Sequence, residues 1–368
     1  MRIPLIKPFI SDEVKERVLA VLDSGYLTEG AVTREFEEIC RQYLGSRYCI
    51  AVSSCTVGLE IALRCLNIGP GDEVIVPDFT YPATADAAAI VGAKIVLVDI
   101  DPKTMLIDYS ALERAIGPRT KAVLPVSLFG NALDYDRLTA IKDKHGIFII
   151  EDAAGSLGAE YKGNKVGTLA DITVFSFHPR KFITTGEGGL IATDNDLWSS
   201  WMKSYKKFGI MSNPEGDDLI FETIGTNYKM SDVLGAIGLG QMQVIGELLK
   251  KRKKIASSYI RMLDGVSAVS LPRITAGASH SYQSFCIFVE NRDRILYNLR
   301  SQGIEVQIGT YSLHLQPAFR PSQVCKIKGN LNGSSYAFEH CLTLPLYYDM
   351  AKRDQEEVIT LILSYLED

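Results

Sequence analysis

Residues 174–189 of the chain read Val-Phe-Ser-Phe-His-Pro-Arg-Lys-Phe-Ile-Thr-Thr-Gly-Glu-Gly-Gly. An apolar run typical of a buried strand leads into Lys181, and a glycine-rich turn follows it. Apolar surroundings disfavour the ammonium form of a lysine, and the neutral amine is the form that bonds to an aldehyde. Ser176 lies just upstream and is placed to present its hydroxyl to a phosphate. The stretch therefore indicates an enzyme that uses pyridoxal 5'-phosphate (PLP), with Lys181 as the reactive amine.

The length and the order of the patterns predict two domains. A chain of 368 residues exceeds the size at which one hydrophobic core usually stops growing. In the first part, short runs rich in valine and isoleucine alternate with amphipathic segments, which is typical of an α/β domain with a mostly parallel sheet. The remainder begins with a helix crowded with lysine and arginine and reads as a smaller α+β unit. We expect a large domain over residues 1–247 and a small C-terminal domain over residues 248–368.

The periodicity of apolar residues locates the elements of both domains. Strands of the large sheet are predicted at 49–52, 73–76, 94–98, 122–128, 147–150, 172–177 and 190–193, and helices at 34–44, 56–66, 83–91, 133–144 and 233–245, with a further helix capped by Ser11. In the small domain we expect helices at 246–263, 292–302 and 355–366, and strands at 284–289 and 305–307. Residues 212–224 are predicted to form a loop.

Charge, hydropathy and cysteine usage argue against several classes of protein. The formal net charge of −5 gives no reason to expect a nucleic-acid partner, and the basic run at 250–254 is flanked by apolar residues typical of a packed helix. No apolar run is long enough to span a membrane. The seven scattered cysteines have no zinc spacing, which predicts a reducing, cytoplasmic location and no metal site.

Three further segments are placed to complete a PLP site. A strand end turns into a helix near Thr56, where free N–H groups suit a phosphate, although an ordinary capped helix explains the same pattern. Asp152 follows an apolar strand, at the edge where open α/β sheets bind ligands, and would pair with the pyridine nitrogen. A helix cap is the alternative for this aspartate. Tyr81 follows another buried strand and would stack on the ring, with a core aromatic as the alternative.

With these residues in place, the chain resembles the DegT family of nucleotide-sugar aminotransferases. The resemblance implies an α/β protein of PLP fold type I, the aspartate aminotransferase-like fold, with a large domain and a smaller C-terminal α+β domain. It runs nearly end to end and rests on motifs such as Gly-Pro-Gly-Asp-Glu-Val at 69–74, Glu-Asp-Ala-Ala at 151–154, Ser-Phe-His-Pro at 176–179, Thr-Thr-Gly-Glu-Gly-Gly at 184–189, Asn-Tyr at 227–228 and Leu-Pro-Leu at 344–346.

The resemblance implies a role for each matching residue. Lys181 would form the Schiff base with PLP and later move the proton, Asp152 would hold the pyridinium nitrogen, and Tyr81 would stack on the ring. The phosphate would bind to Ser176, to the backbone of Cys55 and Thr56, and to Asn227 of the partner subunit, so that a homodimer shares its active sites. Weaker expectations place Ser156, Tyr311 and His314 near the substrate.

Some positions depart from the family pattern. Gly155 stands where many members carry a glutamine or glutamate, which leaves that contact to Ser156, a water or nothing. Ser127 replaces a frequent histidine, and Lys229 replaces a frequent arginine. Lys181 itself is kept, whereas relatives that act as dehydratases carry a histidine there, so the resemblance favours amino transfer.

The resemblance implies transfer of an amino group from L-glutamate, through pyridoxamine phosphate, to a nucleotide-diphospho-4-keto-6-deoxy sugar for surface polysaccharide or glycan biosynthesis. Carbon 4 is favoured because carbon-3 members more often carry tyrosine at the position of His178. A carbon-3 or inosose aminotransferase is the first alternative. A PLP lyase that uses Cys55, and a PLP-binding regulatory protein without turnover, are alternatives of other classes.

Overall fold

The computed structural model describes residues 1–212 and 219–367. The α-helices in this part of the chain are α1 (Asp12–Ser24), α2 (Ala31–Leu44), α3 (Cys55–Cys65), α4 (Ala83–Ile90), α5 (Tyr109–Ala115), α6 (Tyr135–His145), α7 (Asp196–Tyr205), α8 (Asp232–Met242), α9 (Ile245–Met262), α10 (Arg292–Ser301), α11 (Asn332–His340) and α12 (Lys352–Glu367). The predicted helices are all present.

The strands are more numerous than the helices, and many of them are short. They are β1 (Tyr48–Val52), β2 (Glu73–Pro77), β3 (Phe79–Thr80), β4 (Lys94–Val98), β5 (Ile100–Asp101), β6 (Leu106–Ile107), β7 (Thr120–Val123), β8 (Phe148–Asp152), β9 (Glu160–Tyr161), β10 (Asn164–Lys165), β11 (Ile172–Ser176), β12 (Gly189–Thr193), β13 (Ile210–Ser212), β14 (Leu219–Phe221), β15 (Val269–Ser270), β16 (Ala278–Ser279), β17 (Phe285–Val289), β18 (Gln307–Ile308), β19 (Tyr311–Ser312), β20 (Cys325–Ile327) and β21 (Cys341–Leu344).

Eight strands form the main sheet, in the order β1-β12-β11-β8-β7-β2-β4-β20. Strand β12 is antiparallel to both of its neighbours, and the other adjacent pairs are parallel. Side chains alternate between the two faces, so Val74 and Val76 join one buried apolar cluster while Ile75 joins another. A sheet covered on both faces explains why its strands are continuous apolar runs, and the predicted α/β architecture is confirmed.

Two sequence expectations need correction. The strand predicted at 122–128 ends at Val123, because Pro125 has no N–H to donate to the ladder and the chain turns at Phe129, whose φ is 58°. The loop predicted at 212–224 contains strand β14, which pairs antiparallel with β13. Residues 213–218 of that predicted loop lie outside the described residues.

The C-terminal part of the chain builds a second sheet, in the order β15-β17-β21-β18, around its own apolar cluster. The N-terminus packs there as well, because Ile3 forms a bridge with Ile304 and is buried in that cluster. In the other direction, β20 joins the edge of the main sheet and β19 pairs with β3. We propose a division of the units near residue 247, just after α9 begins, with these segments crossing between them.

Helix capping follows local sequence. Ser11 accepts a hydrogen bond from the Val14 N–H at the start of α1, as predicted, and Asp134 accepts one from the Arg137 N–H at the start of α6. Among residues 1–212 and 219–367, no helix combines the length and the apolar character that a membrane span requires.

Candidate active site

A cavity of about 650 Å³ opens at the carboxyl ends of the main-sheet strands. Open α/β sheets bind ligands at this edge, because the loops after parallel strands meet there. Residues of the second sheet, including Ser284 and Thr343, close its other side. Seven of the residues predicted for the site line this cavity: Cys55, Thr56, Tyr81, Asp152, Ser176, Lys181 and Tyr311.

Lys181 lies in the turn that follows β11. Its N–H donates a 2.8 Å hydrogen bond to the His178 carbonyl, and its side chain is half-buried at the cavity. Burial lowers the pKa of the Lys181 ammonium, and the nearby Cys55 and Asp152 oppose that shift. The lowered pKa favours the neutral amine that a covalent bond to an aldehyde requires.

Asp152 is the last residue of β8, and its carboxylate is held from two sides. The Thr84 hydroxyl donates to Oδ2 at 2.7 Å, and the Ala154 N–H donates to Oδ1 at 3.0 Å. The residue is 5% exposed, and burial raises the pKa of its carboxyl despite the Thr84 hydrogen bond. A buried carboxylate with a fixed direction is suited to pair with a protonated ring nitrogen.

A phosphate-sized cradle lies where β1 turns into α3. Ser54 caps the helix by accepting a hydrogen bond from the Val57 N–H at 3.2 Å, and Cys55 and Thr56 follow as the first helical residues. Gly189 packs so closely on this turn that a Cβ there would lie 2.6 Å from the Ser54 carbonyl. Helix N–H groups and the nearby Ser176 hydroxyl face the same cavity, which is an arrangement that binds a phosphate.

Two tyrosines stand at the rim of the cavity. Tyr81 is 64% exposed and Tyr311 is 38% exposed, and their ring centroids lie 6.3 Å apart. The pairing of β3 with β19 brings them together, with Thr80 opposite Tyr311. Exposed aromatic rings at the mouth of a pocket offer a face on which a flat ligand stacks.

Three predicted site residues do not line the cavity. Ser156 is fully buried and its hydroxyl donates to the Ser127 carbonyl, so the expected substrate contact is corrected to a structural one. His314 is likewise turned away, since its Nδ1 lies 2.6 Å from Oδ2 of the buried Asp78. Asn227 is exposed on the surface of the chain, outside its own cavity.

The positions that depart from the family pattern have separate surroundings. Ser127 is buried and lines the cavity, and Lys229 donates to the side chain of Asn227 away from it. Gly155 also lines the cavity, and a Cβ added there would lie 3.4 Å from Cγ of Gln283. The space beside Gly155 is therefore filled by a glutamine from the C-terminal part of the chain.

Cys55 does not have the character of a nucleophile. Its Sγ lies 3.9 Å from Asp152 Oδ1, and burial raises the pKa of the thiol well above its usual range. A thiol of this kind stays protonated, whereas a reactive cysteine needs an electropositive surrounding that favours the thiolate. This observation weighs against a lyase that uses Cys55.

Some residues of the site are absent from the sequence analysis. Thr84 lay inside a motif that was noticed, but nothing local showed that its hydroxyl reaches Asp152. Ser54 carried a local signal as a serine before a helix start, which is a common N-cap. Arg180 and Gln307 line the cavity and share a 3.0 Å hydrogen bond, and nothing in the sequence links them.

The fold and the cavity define a protein of PLP fold type I. Residues 8–363 match the DegT/DnrJ/EryC1/StrS aminotransferase family, and the chain belongs to that family. It is an aminotransferase, and the matching solved structures establish PLP as its cofactor.

Three relatives illustrate the similarity. The chain is 32% identical to GDP-perosamine synthase of Caulobacter vibrioides, with 97% of this chain and 96% of that protein covered. It is 31% identical to a spore coat polysaccharide biosynthesis protein of Bacillus subtilis, over 97% and 95% of the two chains. A putative sugar aminotransferase of Streptococcus pneumoniae in its PMP form superposes with a TM-score of 0.94 at 30% identity, covering 99% of each chain. The PLP form of that protein gives a TM-score of 0.93 at 31% identity, covering 99% and 98%.

The residues of this chain fit PLP. The Lys181 amine, the Asp152 carboxylate and the phosphate-sized cradle at α3 face one cavity, and they match the aldehyde, the ring nitrogen and the phosphate of the cofactor. When bound, PLP supplies the aldehyde that carries the amino group and a ring that withdraws electrons from the reacting carbon.

Proposed function

We propose that this protein transfers the amino group of L-glutamate to carbon 4 of a nucleotide-diphospho-4-keto-6-deoxy sugar, for surface polysaccharide or glycan biosynthesis. The observation that carries the proposal is the joint placement of Lys181 and Asp152 in a cavity large enough for more than the cofactor. The names of the Caulobacter and Bacillus relatives support a GDP-linked amino sugar and polysaccharide synthesis as the context. We also propose a cytoplasmic location, which the seven free cysteines support.

Three side chains carry the proposed chemistry. Lys181 holds the cofactor covalently through Nζ and, once released, takes the proton from the α-carbon of the amino donor and returns it on the cofactor side. Asp152 keeps the ring nitrogen protonated by offering a buried carboxylate. Tyr81 covers the ring from the rim and limits access of water to the reacting atoms.

The phosphate end and the partner subunit form the second part of the proposal. Ser176 and the N–H groups at Cys55 and Thr56 bind the cofactor phosphate within one chain. Asn227 reaches the same phosphate from the partner subunit, so that the homodimer is the catalytic unit. The exposed position of Asn227 supports this arrangement, and so do the exposed apolar residues Leu219 and Phe221 on β14, which are 64% exposed each.

The attack position on the sugar rests on His178, which lines the cavity beside Lys181. Burial and the neighbouring cations lower the pKa of His178, although Glu187 opposes them, so the imidazole is neutral at pH 7. A neutral imidazole is placed to accept a hydrogen bond from a sugar hydroxyl. Tyr311 at the rim is proposed to contact the sugar nucleotide.

The test is the absorption spectrum of the PLP-loaded protein before and after addition of L-glutamate. We expect the visible band to convert to the near-ultraviolet band of the pyridoxamine form, with Lys181→Ala failing to convert. Lys103→Ala removes an exposed lysine remote from the cavity and serves as the matched control, which is expected to convert like the wild type.

The acceptor is then identified by adding 4-keto-6-deoxyhexoses linked to GDP, UDP or dTDP to the pyridoxamine form. Return of the visible band and a product aminated at carbon 4, located by NMR, support the proposal. A product aminated at carbon 3 shows the first alternative instead. A PLP spectrum that no amino donor changes would overturn amino transfer from L-glutamate and favour a regulatory protein.

A further inference from the structure

The backbone on both sides of Lys181 is held by one side chain from the C-terminal part of the chain. Gln283 donates from Nε2 to the Arg180 carbonyl at 2.6 Å, and its Oε1 accepts from the Phe182 N–H at 3.2 Å. Gln283 is 8% exposed, so these hydrogen bonds are largely shielded from water. One carboxamide therefore bridges the residue before Lys181 and the residue after it.

Gln283 is in turn fixed through its own backbone. The buried Arg252 of α9 donates from Nη2 to the Gln283 carbonyl at 2.7 Å and from Nε to the Tyr282 carbonyl at 2.9 Å. The Arg252 guanidinium also lies over the Phe182 ring, 5.4 Å from its centroid. The glutamine is thus anchored to the helix that begins the C-terminal part of the chain, independently of the turn that it holds.

The side chain of Gln283 occupies space that Gly155 leaves free. A Cβ at Gly155 would lie 3.4 Å from Gln283 Cγ and 3.6 Å from Gln283 Cβ. One added carbon is ordinary contact at these distances, but a longer side chain has nowhere to extend without displacing the glutamine. The absence of a side chain at residue 155 and the carboxamide at residue 283 are two parts of one arrangement.

We propose that Gln283 is a positioning residue that sets where the Lys181 amine lies relative to PLP, and that Gly155 makes room for it. This inference rests on the proposed role of Lys181. Lysine has a long, flexible side chain, so its reactive nitrogen is placed accurately only if the backbone from which it extends is held. A displacement of about 1 Å at a reacting centre costs on the order of 100-fold in rate.

The test uses Gln283→Met, which keeps the length of the side chain and removes both hydrogen bonds. We expect the saturating rate of the first half-reaction to fall on the order of 100-fold, as a misplaced reacting group predicts. The L-glutamate concentration that gives half of that rate is expected to change less than about threefold, because a positioning residue leaves donor binding in place. Gln355→Met is the control, since Gln355 is also buried and donates to the Ile255 carbonyl far from the cavity.

A second readout does not depend on turnover. The pH at which Lys181 of the PLP-free protein becomes reactive toward an acylating reagent, followed by mass spectrometry, reports the surroundings of the amine. The titratable and charged groups that face it are Asp152, Cys55 and Arg180. In Gln283→Met the turn relaxes toward water, so we expect this midpoint to move toward higher pH, whereas Gln355→Met keeps the wild-type midpoint.

The pair of residues is tested together as well. Gly155→Met alone is expected to reproduce the loss seen in Gln283→Met, because it expels the carboxamide. Adding Gly155→Met to Gln283→Ala is expected to cost little more than the larger single change, since the two positions share one space. Fully additive losses would contradict the shared space.

The outcomes separate this inference from the proposed function. Borohydride trapping of PLP in the wild type, followed by peptide mapping, identifies the linked lysine. Trapping at another lysine overturns the proposed role of Lys181. Trapping at Lys181, with Gln283→Met matching the Gln355→Met control in half-reaction rate and labelling midpoint, overturns the positioning role of Gln283 alone.

Discussion

The Thr84 hydroxyl donates a 2.7 Å hydrogen bond to Oδ2 of Asp152, although the two residues lie 68 positions apart in the chain. Thr84 belongs to the first turn of α4, after β3, while Asp152 ends β8. The helix of one unit therefore aims the carboxylate of another. Because Thr84 is fully buried, no water competes for the interaction. The direction of the Asp152 carboxylate is a property of this pair rather than of either residue.

The first prediction concerns this hydrogen bond. Thr84→Val keeps the shape of the side chain and removes the donor, so the carboxylate loses one of its two fixed partners. Hydrogen bonds to charged groups contribute about 1.5–3 kcal/mol, so we expect PLP affinity to fall roughly tenfold or more. Fluorescence titration of the PLP-free protein with PLP measures the change.

Thr80 offers a graded control for this prediction. Its hydroxyl lies 3.0 Å from that of Thr84 and has no direct bond to Asp152. Thr80→Val is therefore expected to weaken PLP binding less than Thr84→Val does. Equal dissociation constants for wild type and Thr84→Val would show that the carboxylate does not need this partner.

The second prediction concerns Glu151, which faces away from the cavity. The Tyr135 hydroxyl donates to its Oε1 at 2.7 Å, and burial raises the pKa of this carboxyl from 4.5 to about 7. Between these values the folded protein binds the proton and the unfolded chain does not. The stabilising effect of this group is therefore complete below pH 4.5 and is lost as the pH rises through 7.

Glu151→Gln removes this titration and keeps an acceptor for Tyr135. We expect the wild-type free energy of unfolding to fall relative to the variant by up to about 1.4 kcal/mol per pH unit between pH 5 and 7. Urea denaturation of both proteins at several pH values between 5 and 8 gives the difference. Curves that stay parallel over this window would show that Glu151 does not change its protonation there.

The third prediction concerns a buried cation near the phosphate cradle. Lys206 is 1% exposed, and its Nζ lies 2.8 Å from Glu29 and 3.2 Å from Glu37. It also donates to the Ala51 carbonyl in β1 at 2.8 Å. Lys206→Met leaves two carboxylates without their shared cation, so we expect a loss of about 3–5 kcal/mol of unfolding free energy.

Lys207 is the matched control for that change. It also pairs with Glu29, at 2.7 Å, but it is 40% exposed. Exposed ion pairs contribute about 0–1 kcal/mol, so Lys207→Met is expected to have a small effect in the same denaturation experiment. Similar losses for the two variants would show that burial does not set the contribution of this cluster.

The fourth prediction tests whether two chains share one active site. Lys181→Ala and Asn227→Ala are each expected to lose most activity as homodimers. In a mixed dimer, one site combines the intact Lys181 of one subunit with the intact Asn227 of the other. Random mixing makes half of the dimers mixed, so we expect about a quarter of wild-type activity to return.

Co-expression of the two variants, with a different tag on each chain, allows that measurement. The control is Lys181→Ala co-expressed with itself under the two tags, which restores nothing if the lysine is essential. Full purification of the mixed dimer without recovered activity would mean that Asn227 does not act across the interface.

Much of the fold was predictable because it depends on local patterns. The apolar runs that became β1, β2, β4, β8, β11 and β12 were located from their valine and isoleucine content, and the cap of α1 from Ser11. The exception at 122–128 also has a local cause, since Pro125 interrupts an otherwise apolar run. The crossing of β20 into the main sheet was not predicted, because a short strand carries no mark of its distant partner.

The site divides in the same way. Lys181, Asp152 and Thr56 were found because each follows a strand end, where the edge of the sheet is accessible. Ser156 was misjudged since, beyond a strand end, alternation no longer tells which side chain faces the cavity. His314 was misjudged because its partner, Asp78, lies 236 positions away.

The sequence by itself determined which elements form and which residue types carry the chemistry, because helix caps, strand periodicity and the apolar setting of Lys181 are properties of neighbouring residues. Only the tertiary structure decided how those residues are aimed. The hydrogen bonds from Thr84 to Asp152 and from Gln283 to the peptide before Lys181 join positions 68 and 103 apart. Hydrogen bonds act only within about 3 Å, so such partners exist only once the chain has folded.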